Sequence, residues 1–246
     1  MSFQVTVYLG KGGQKEQAES FARKNNTVVS DKPGDELTLV FDKSGVSLSG
    51  FGLSYQCDFT NMLHRVTEGR LAHEMLVRAA KSDEKNLKAL DATAGMGEDS
   101  FLLAAYGYNV TLCEQNPVIA ALLKDGIRRA KKNPNLKEIA SRMSLVQCDS
   151  IEYMPNIAGD VDVIYLDPMF PARQKSSLVN KKLQLIQKLE APCSEETDLF
   201  NAACAANPSK IIVKRPLKAP KLAGRDPSYT LPGKAIRYDC YVRHDM

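Results

Sequence analysis

The strongest constraint on this chain is an alternation that runs from Leu87 to Lys214. Short apolar runs at 87–91, 109–114, 143–148, 161–166 and 210–214 are separated by longer stretches with helical spacing. Strands alternating with helices predict a mostly parallel sheet covered on both faces, a doubly wound α/β fold of Rossmann-like type. In the first unit the segment Asp91-Ala-Thr-Ala-Gly95-Met-Gly97-Glu98-Asp99 joins strand to helix. Glycines accept the backbone conformations such a turn needs, and the helix start presents unpaired N–H groups. The turn therefore reads either as a nucleotide cradle or as a tight connection and no more. No Gly-Lys-Ser/Thr follows it, which excludes a P-loop kinase or ATPase.

Ahead of the alternation, Val5, Val7 and Leu9 predict a strand, and residues 14–24 a helix with Ala18, Phe21 and Ala22 on one face. Residues 37–41 and 46–48 flank Asp42-Lys-Ser-Gly45 and predict a hairpin. These elements suggest a small α+β unit over 1–60 beside a main domain over 61–246. The unit carries no catalytic constellation and reads equally as a packing extension or a substrate-docking module. A helix is expected over 67–81, with Leu71, Met75, Leu76 and Ala79 at helical spacing. Asn116-Pro117 marks a helix start, since Asn caps and Pro suits the first helical position. A last strand at 235–242 closes the chain, in an antiparallel hairpin.

At 246 residues, 43% apolar and 25% charged, the chain can bury a core without staples. No run of about 18 apolar residues and no basic-then-apolar leader is present, so a cytoplasmic protein away from membranes is expected. The six cysteines are scattered with no Cys-x-x-Cys pair, and the three histidines lack ligand spacing, so neither a disulfide framework nor a metal is expected. The net charge of +4 is uneven: residues 161–246 hold 14 Lys+Arg against 9 Asp+Glu, while the rest of the chain holds 19 against 20. A basic surface there suits a phosphate-rich partner and is also an ordinary solvated face.

In an open α/β sheet, ligands bind beyond the carboxyl ends of the strands. The four predicted strands over 87–166 end, in order, at Asp91, at Glu114-Gln115, at Asp149-Ser150 and at Asp167-Pro168. Glu114 follows Gly95 by 19 residues, near the spacing at which an acid accepts hydrogen bonds from ribose hydroxyls. Asp149-Ser150 would then meet an adenine edge, although Asp149 alone reads first as the cap of the next helix. Asp167-Pro168-Met169-Phe170 looks like the Asn/Asp-Pro-Pro-Tyr/Phe signature of methyltransferases that modify exocyclic amines of bases. An aryl amine delocalises its lone pair into the ring. A carboxylate and a carbonyl accepting its two N–H hydrogens favour pyramidalisation, and the aromatic residue stacks on the base. The plainer reading is a strand-ending Asp-Pro turn with an aromatic plug. Pro192-Cys193 lies in a loop rather than at a strand end, so Cys193 is not read as a nucleophile.

With Asp91 to Asp99, Glu114-x-Asn-Pro-Val118, Tyr165 to Pro171 and Val213-Lys-Arg-Pro216 in hand, the sequence resembles the ribosomal RNA small subunit methyltransferase J family. The resemblance covers about 87–217. It implies transfer of methyl from S-adenosyl-L-methionine (SAM) to N2 of a guanine in 16S ribosomal RNA, with the RNA or the small ribosomal subunit as partner. It places cofactor contacts on Asp91, Gly95, Gly97, Glu98, Asp99, Glu114, Gln115, Asp149, Ser150 and Asp167. Asp167, Pro168 and Phe170 become catalytic, and Arg173, Lys175, Lys214 and Arg215 become RNA contacts. Glu98 and Gln115 stand where the family has Arg, and Asp149 where it has Ser. Three readings stay open beside it: an adenine-N6 methyltransferase, a non-catalytic RNA-binding protein of the same fold, and a nicotinamide-dependent oxidoreductase sharing the glycine turn and Glu114.

Overall fold

The computed structural model describes residues 5–34, 36–84, 86–168, 185, 189 and 195–245. The N-terminal segment forms β1 (Val5–Leu9), α1 (Lys15–Lys24), β2 (Val29–Ser30), β3 (Leu37–Asp42), β4 (Gly45–Gly50) and β5 (Leu53–Tyr55). Its five-stranded sheet has the order β2-β1-β3-β4-β5, with β1 parallel to β2 and β3, and β3-β4-β5 antiparallel. The strand, helix and hairpin expected over 5–48 are all present; the two- and three-residue strands β2 and β5 are too short to leave a period in the sequence.

The main body follows as α2 (Glu68–Leu71), α3 (Met75–Ala79), β6 (Lys88–Asp91), α4 (Glu98–Tyr106), β7 (Asn109–Cys113), α5 (Pro117–Ala130), α6 (Lys137–Ser141) and β8 (Met143–Val146). It continues with α7 (Ser150–Tyr153), β9 (Val163–Leu166), α8 (Glu196–Ala205), β10 (Lys210–Pro216), β11 (Tyr229–Pro232) and β12 (Ile236–Val242). The seven-stranded sheet runs β11-β12-β10-β9-β6-β7-β8; β12 is antiparallel to both its neighbours, and the remaining pairs are parallel. Strand order reverses between β6 and β9, the point at which an α/β sheet opens a ligand crevice.

The expected helix over 67–81 is broken in two. Glu74 takes an extended backbone (ψ 127°) between α2 and α3, and its carboxylate accepts a forked pair of bonds from the Arg65 guanidinium, both 2.8 Å. The pairing accompanies the break, which interrupts apolar spacing that would suit one continuous helix.

Both faces of the large sheet are buried, and the alternation of side chains sorts them. Val163 and Tyr165 of β9 and Ile212 of β10 join one apolar cluster. Ile164, Leu166, Ile211 and Val213 join the other, with Leu199 and Phe200 of α8. The first cluster also holds Val7, Leu39 and Leu48 of the N-terminal sheet, so one core runs through both sheets. A buried polar joint reinforces it: Asp125 of α5 accepts from the Val46 amide at 3.0 Å, from Arg128 at 2.5 Å and from Arg129 at 2.8 Å. Gly45 is required there, because a Cβ at that position would come 2.3 Å from Asp125 Oδ2.

Candidate active site

The site is built on the carboxyl ends of β6, β7, β8 and β9. The turn after β6 closes on Gly97, whose φ of +75° places it in the left-handed region and makes it the cap of α4. A Cβ there would meet Leu123 Cδ1 at 2.7 Å, so conformation and packing both demand glycine. Asp91 Oδ2 accepts from Ser100 Oγ at 2.5 Å and Asp91 Oδ1 from the Thr93 amide at 3.1 Å, tying the turn to the strand and to α4. At 1% exposure Asp91 is buried, with both carboxylate oxygens engaged by Ser100 and Thr93, so it shapes the turn.

Burial pushes the Asp91 carboxyl up to about 7, against the hydrogen bonds from Ser100 and Thr93 and with added repulsion from Asp99 and Asp167. An unfolded aspartate ionises near ~3.9, so the folded chain binds the extra proton between about 4 and 7, and this group's contribution to stability falls as pH rises through that window. Asp91→Asn is expected to flatten that part of the Tm-against-pH curve. Curves of wild type and variant that run parallel from pH ~5 to ~7 would refute it.

Glu114 closes the turn from the neighbouring strand. Its Oε2 accepts from the Gly95 amide at 3.0 Å and its Oε1 from the Asn116 amide at 2.7 Å. Asn116 in turn caps α5, accepting from Val118 and Ile119 through Oδ1, as the Asn-Pro pair predicts. Asp149 caps α7 by accepting from the Ile151 amide at 2.8 Å, its plainer reading, and Ser150 opens that helix half-buried. Gln115 and Glu98 are exposed beside the turn.

The centre of the crevice is an ionic cluster. Val213 of β10 sits opposite Leu166 of β9, so Lys214 and Asp167 come level beyond them. Lys214 Nζ donates to Asp167 Oδ2 and to Asp99 Oδ2, both at 2.8 Å, and the Tyr165 hydroxyl donates to Asp99 Oδ2 at 2.6 Å. The Asp167 amide donates to Thr93 Oγ1 at 2.7 Å, which joins β9 to the glycine turn. Burial raises the Asp167 carboxyl, with Lys214 opposing and Asp99 adding to the rise. Burial also disfavours the Lys214 ammonium, but Asp99 and Asp167 outweigh it and hold the charge firmly.

Lys214 spends its charge on two carboxylates inside the site. Arg215 is 1% exposed and donates to the Pro220 carbonyl and to Glu196, so it braces the loop after β10. Alternation along β10 sends the two adjacent cations to opposite faces, which a basic dipeptide cannot reveal. Phe170, Arg173 and Lys175 lie outside the described residues. Sequence reasoning overlooked Thr93 and Tyr165, polar residues inside quoted motifs, and Tyr238 of β12, whose ring lies 6.5 Å from that of Tyr165.

Among the described residues no group of three or more His, Cys, Asp or Glu is arranged to hold a metal, and no helix is long and apolar enough to cross a membrane. The chain superposes on the crystal structure of a SAM-dependent methyltransferase from Neisseria gonorrhoeae with a TM-score of 0.76, at 29% identity, covering 98% of this chain and 97% of that one. The fold is thus that of a Rossmann-like class I SAM-dependent methyltransferase. Residues 24–243 match the family model described as "Putative SAM-dependent methyltransferase". Proteins named Ribosomal RNA small subunit methyltransferase J share 38% identity in Thioalkalivibrio sulfidiphilus, over 97% of both chains, and 38% in Pseudomonas fluorescens, over 92% of this chain and 90% of that one. The chain belongs to the ribosomal RNA small subunit methyltransferase J family, an enzyme family whose cofactor is SAM.

The donor set suits that cofactor. A carboxylate stands at the end of β7 beside the glycine turn, suited to accept from ribose hydroxyls, and the amide-rich turn itself opens toward the crevice.

Proposed function

We propose that the chain methylates the exocyclic N2 amine of a guanosine in 16S ribosomal RNA of the small subunit, in the cytoplasm. The observation that carries this is Asp167: fixed through its own amide at the strand-order reversal, it has one oxygen held by Lys214, while Oδ1 accepts no hydrogen bond from the described residues. When bound, SAM supplies an electrophilic methyl on a sulfonium, so transfer to an amine yields the N-methylated amine, S-adenosylhomocysteine and a proton.

Glu114 and Gln115 would hold the ribose end, Asp149 and Ser150 the adenine edge, and the turn from Gly95 to Asp99, Glu98 included, the methionine end. Asp167 Oδ1 and the Pro168 carbonyl would accept the two amine hydrogens, freeing the nitrogen lone pair, and Phe170 would stack on the guanine. Arg173 and Lys175, with the exposed Lys218 and Arg225, would contact phosphates and position the RNA without reading sequence.

The test is methyl transfer from labelled SAM to small subunits and to naked 16S RNA from cells lacking this protein, with the modified nucleoside identified by mass spectrometry. N2-methylguanosine at one position is expected. N6-methyladenosine would move the assignment to the adenine reading, and no transfer to either substrate would favour a non-catalytic RNA-binding role.

A further inference from the structure

The crevice contains a cation that amine positioning by Asp167 and Pro168 does not by itself require. We propose that Lys214 is a positioning residue that keeps Asp167 a charged, aimed acceptor for the target amine, using Asp99 as its second anchor. This rests on the methyltransferase reading above.

Lys214 Nζ bridges two carboxylates at 2.8 Å each, and its side chain is 25% exposed. An ammonium offers three N–H donors in a compact point charge, so two of the three are spent inside the crevice. The anchor is itself held: Tyr165, buried in the centre of the sheet, donates to the same Asp99 oxygen. Thr93 fixes the Asp167 backbone. With its amide and Oδ2 both occupied, the Asp167 carboxylate has little freedom to rotate, and Oδ1 is the oxygen that no described residue engages.

Charge matters as much as aim. A carboxyl that takes up a proton becomes a donor and repels the N–H it has to accept. The surroundings push Asp167 that way, since burial and Asp99 both raise it and Lys214 is the group that opposes them. The groups that face this cluster are Asp99 from α4, Tyr165 from β9, Tyr238 from β12, Asp91 from β6 and Arg65 from the segment ahead of α2. Arg65 is engaged by Glu74 through both carboxylate oxygens, and the tyrosines are raised by burial and stay neutral at working pH. Among the described residues Lys214 is therefore the cation in contact with Asp167.

The experiment measures single-turnover methyl transfer to small subunits at saturating SAM, across pH, for wild type, Lys214→Met, Lys214→Gln and Lys214→Arg. SAM affinity by calorimetry and Tm serve as controls. Removal of the charge is expected to move the acid limb of the rate profile up by about one pH unit or more and to cut the rate near neutrality by roughly tenfold or more. Lys214→Arg is expected to keep the wild-type limb, and SAM affinity to stay within about threefold in all folded variants. A folded Met or Gln variant whose acid limb overlays that of wild type would overturn the proposal. If both uncharged variants fail to fold, an acid limb shifted in Lys214→Arg as well would also overturn it, and a limb kept there would support it. Absence of transfer by the wild-type chain would instead strike the functional reading on which the proposal stands.

Discussion

Asp167→Ala is expected to slow methyl transfer to small-subunit RNA by roughly 10²- to 10³-fold, the loss typical when one preorganised hydrogen-bond partner is removed from a transition state. SAM affinity should change far less, because the contacts proposed for the ribose and adenine come from β7 and β8 rather than from β9. Asp167→Asn separates acceptor from charge. Its amide oxygen can still accept the amine hydrogen, so a loss of only about tenfold is expected, with the acid limb assigned to the carboxyl abolished. Single-turnover rates with labelled SAM distinguish these outcomes. Transfer by Asp167→Ala at near wild-type rate would remove Asp167 from the chemistry.

The largest expected effect on stability lies away from the site, at the joint between the two sheets. Asp125→Ala should lower stability by about 3 kcal/mol, because it strands the Val46 amide and leaves two guanidinium groups without their buried partner. For a chain of this length that corresponds to a fall of roughly 6–12 °C in Tm. Burial would raise the Asp125 carboxyl, but the hydrogen bonds from Arg129, Arg128 and Val46 outweigh it and hold it below the ordinary range. The sign follows: the unfolded carboxyl ionises near ~3.9, so the stabilisation is complete above that pH and is lost as pH falls through the lower folded value. Thermal unfolding near neutrality checks the magnitude; a Tm within about 2 °C of wild type would show that α5 and β4 are held by apolar packing alone.

The two sheets share one apolar cluster, so loss of this joint should reach the active site indirectly. Leu123 of α5 packs against Gly97, and Phe59, just beyond the N-terminal sheet, stacks on Phe101 of α4 at 5.0 Å between ring centroids. The segment before α2 thereby touches the same helix whose first turn carries Asp99. A disturbance at Asp125 is expected to weaken the glycine turn before it disturbs β9.

Several features were legible because their causes are local. Asn116-Pro117 announces α5, since the cap and the proline act within one turn of themselves. Gly97 announces a left-handed residue, and the acids at strand ends announce the open edge of a parallel sheet. The strands β2 and β5 escaped notice because two or three residues carry no detectable period, and β11 because its mostly exposed Tyr-Thr-Leu-Pro lacks the apolar run that marks β6, β8 and β9. The break at Glu74 was invisible because the apolar spacing runs on through it, and the forked bond to Arg65 that accompanies it spans nine residues.

By itself, the sequence determined the doubly wound sheet, because hydrophobic period, capping and glycine placement act over a few residues, and its quoted motifs carried the resemblance to the family to which the chain belongs. Only the tertiary structure decided what the charged residues do. Asp91, expected to touch a ligand, is buried under Ser100. Arg215, expected on RNA, is inside the fold. Lys214, also expected on RNA, stands between Asp99 and Asp167. The physical reason is that a charge takes its role from whatever the strand register and helix packing bring within about 3–4 Å of it, and those neighbours are 47 and 115 residues away along the chain.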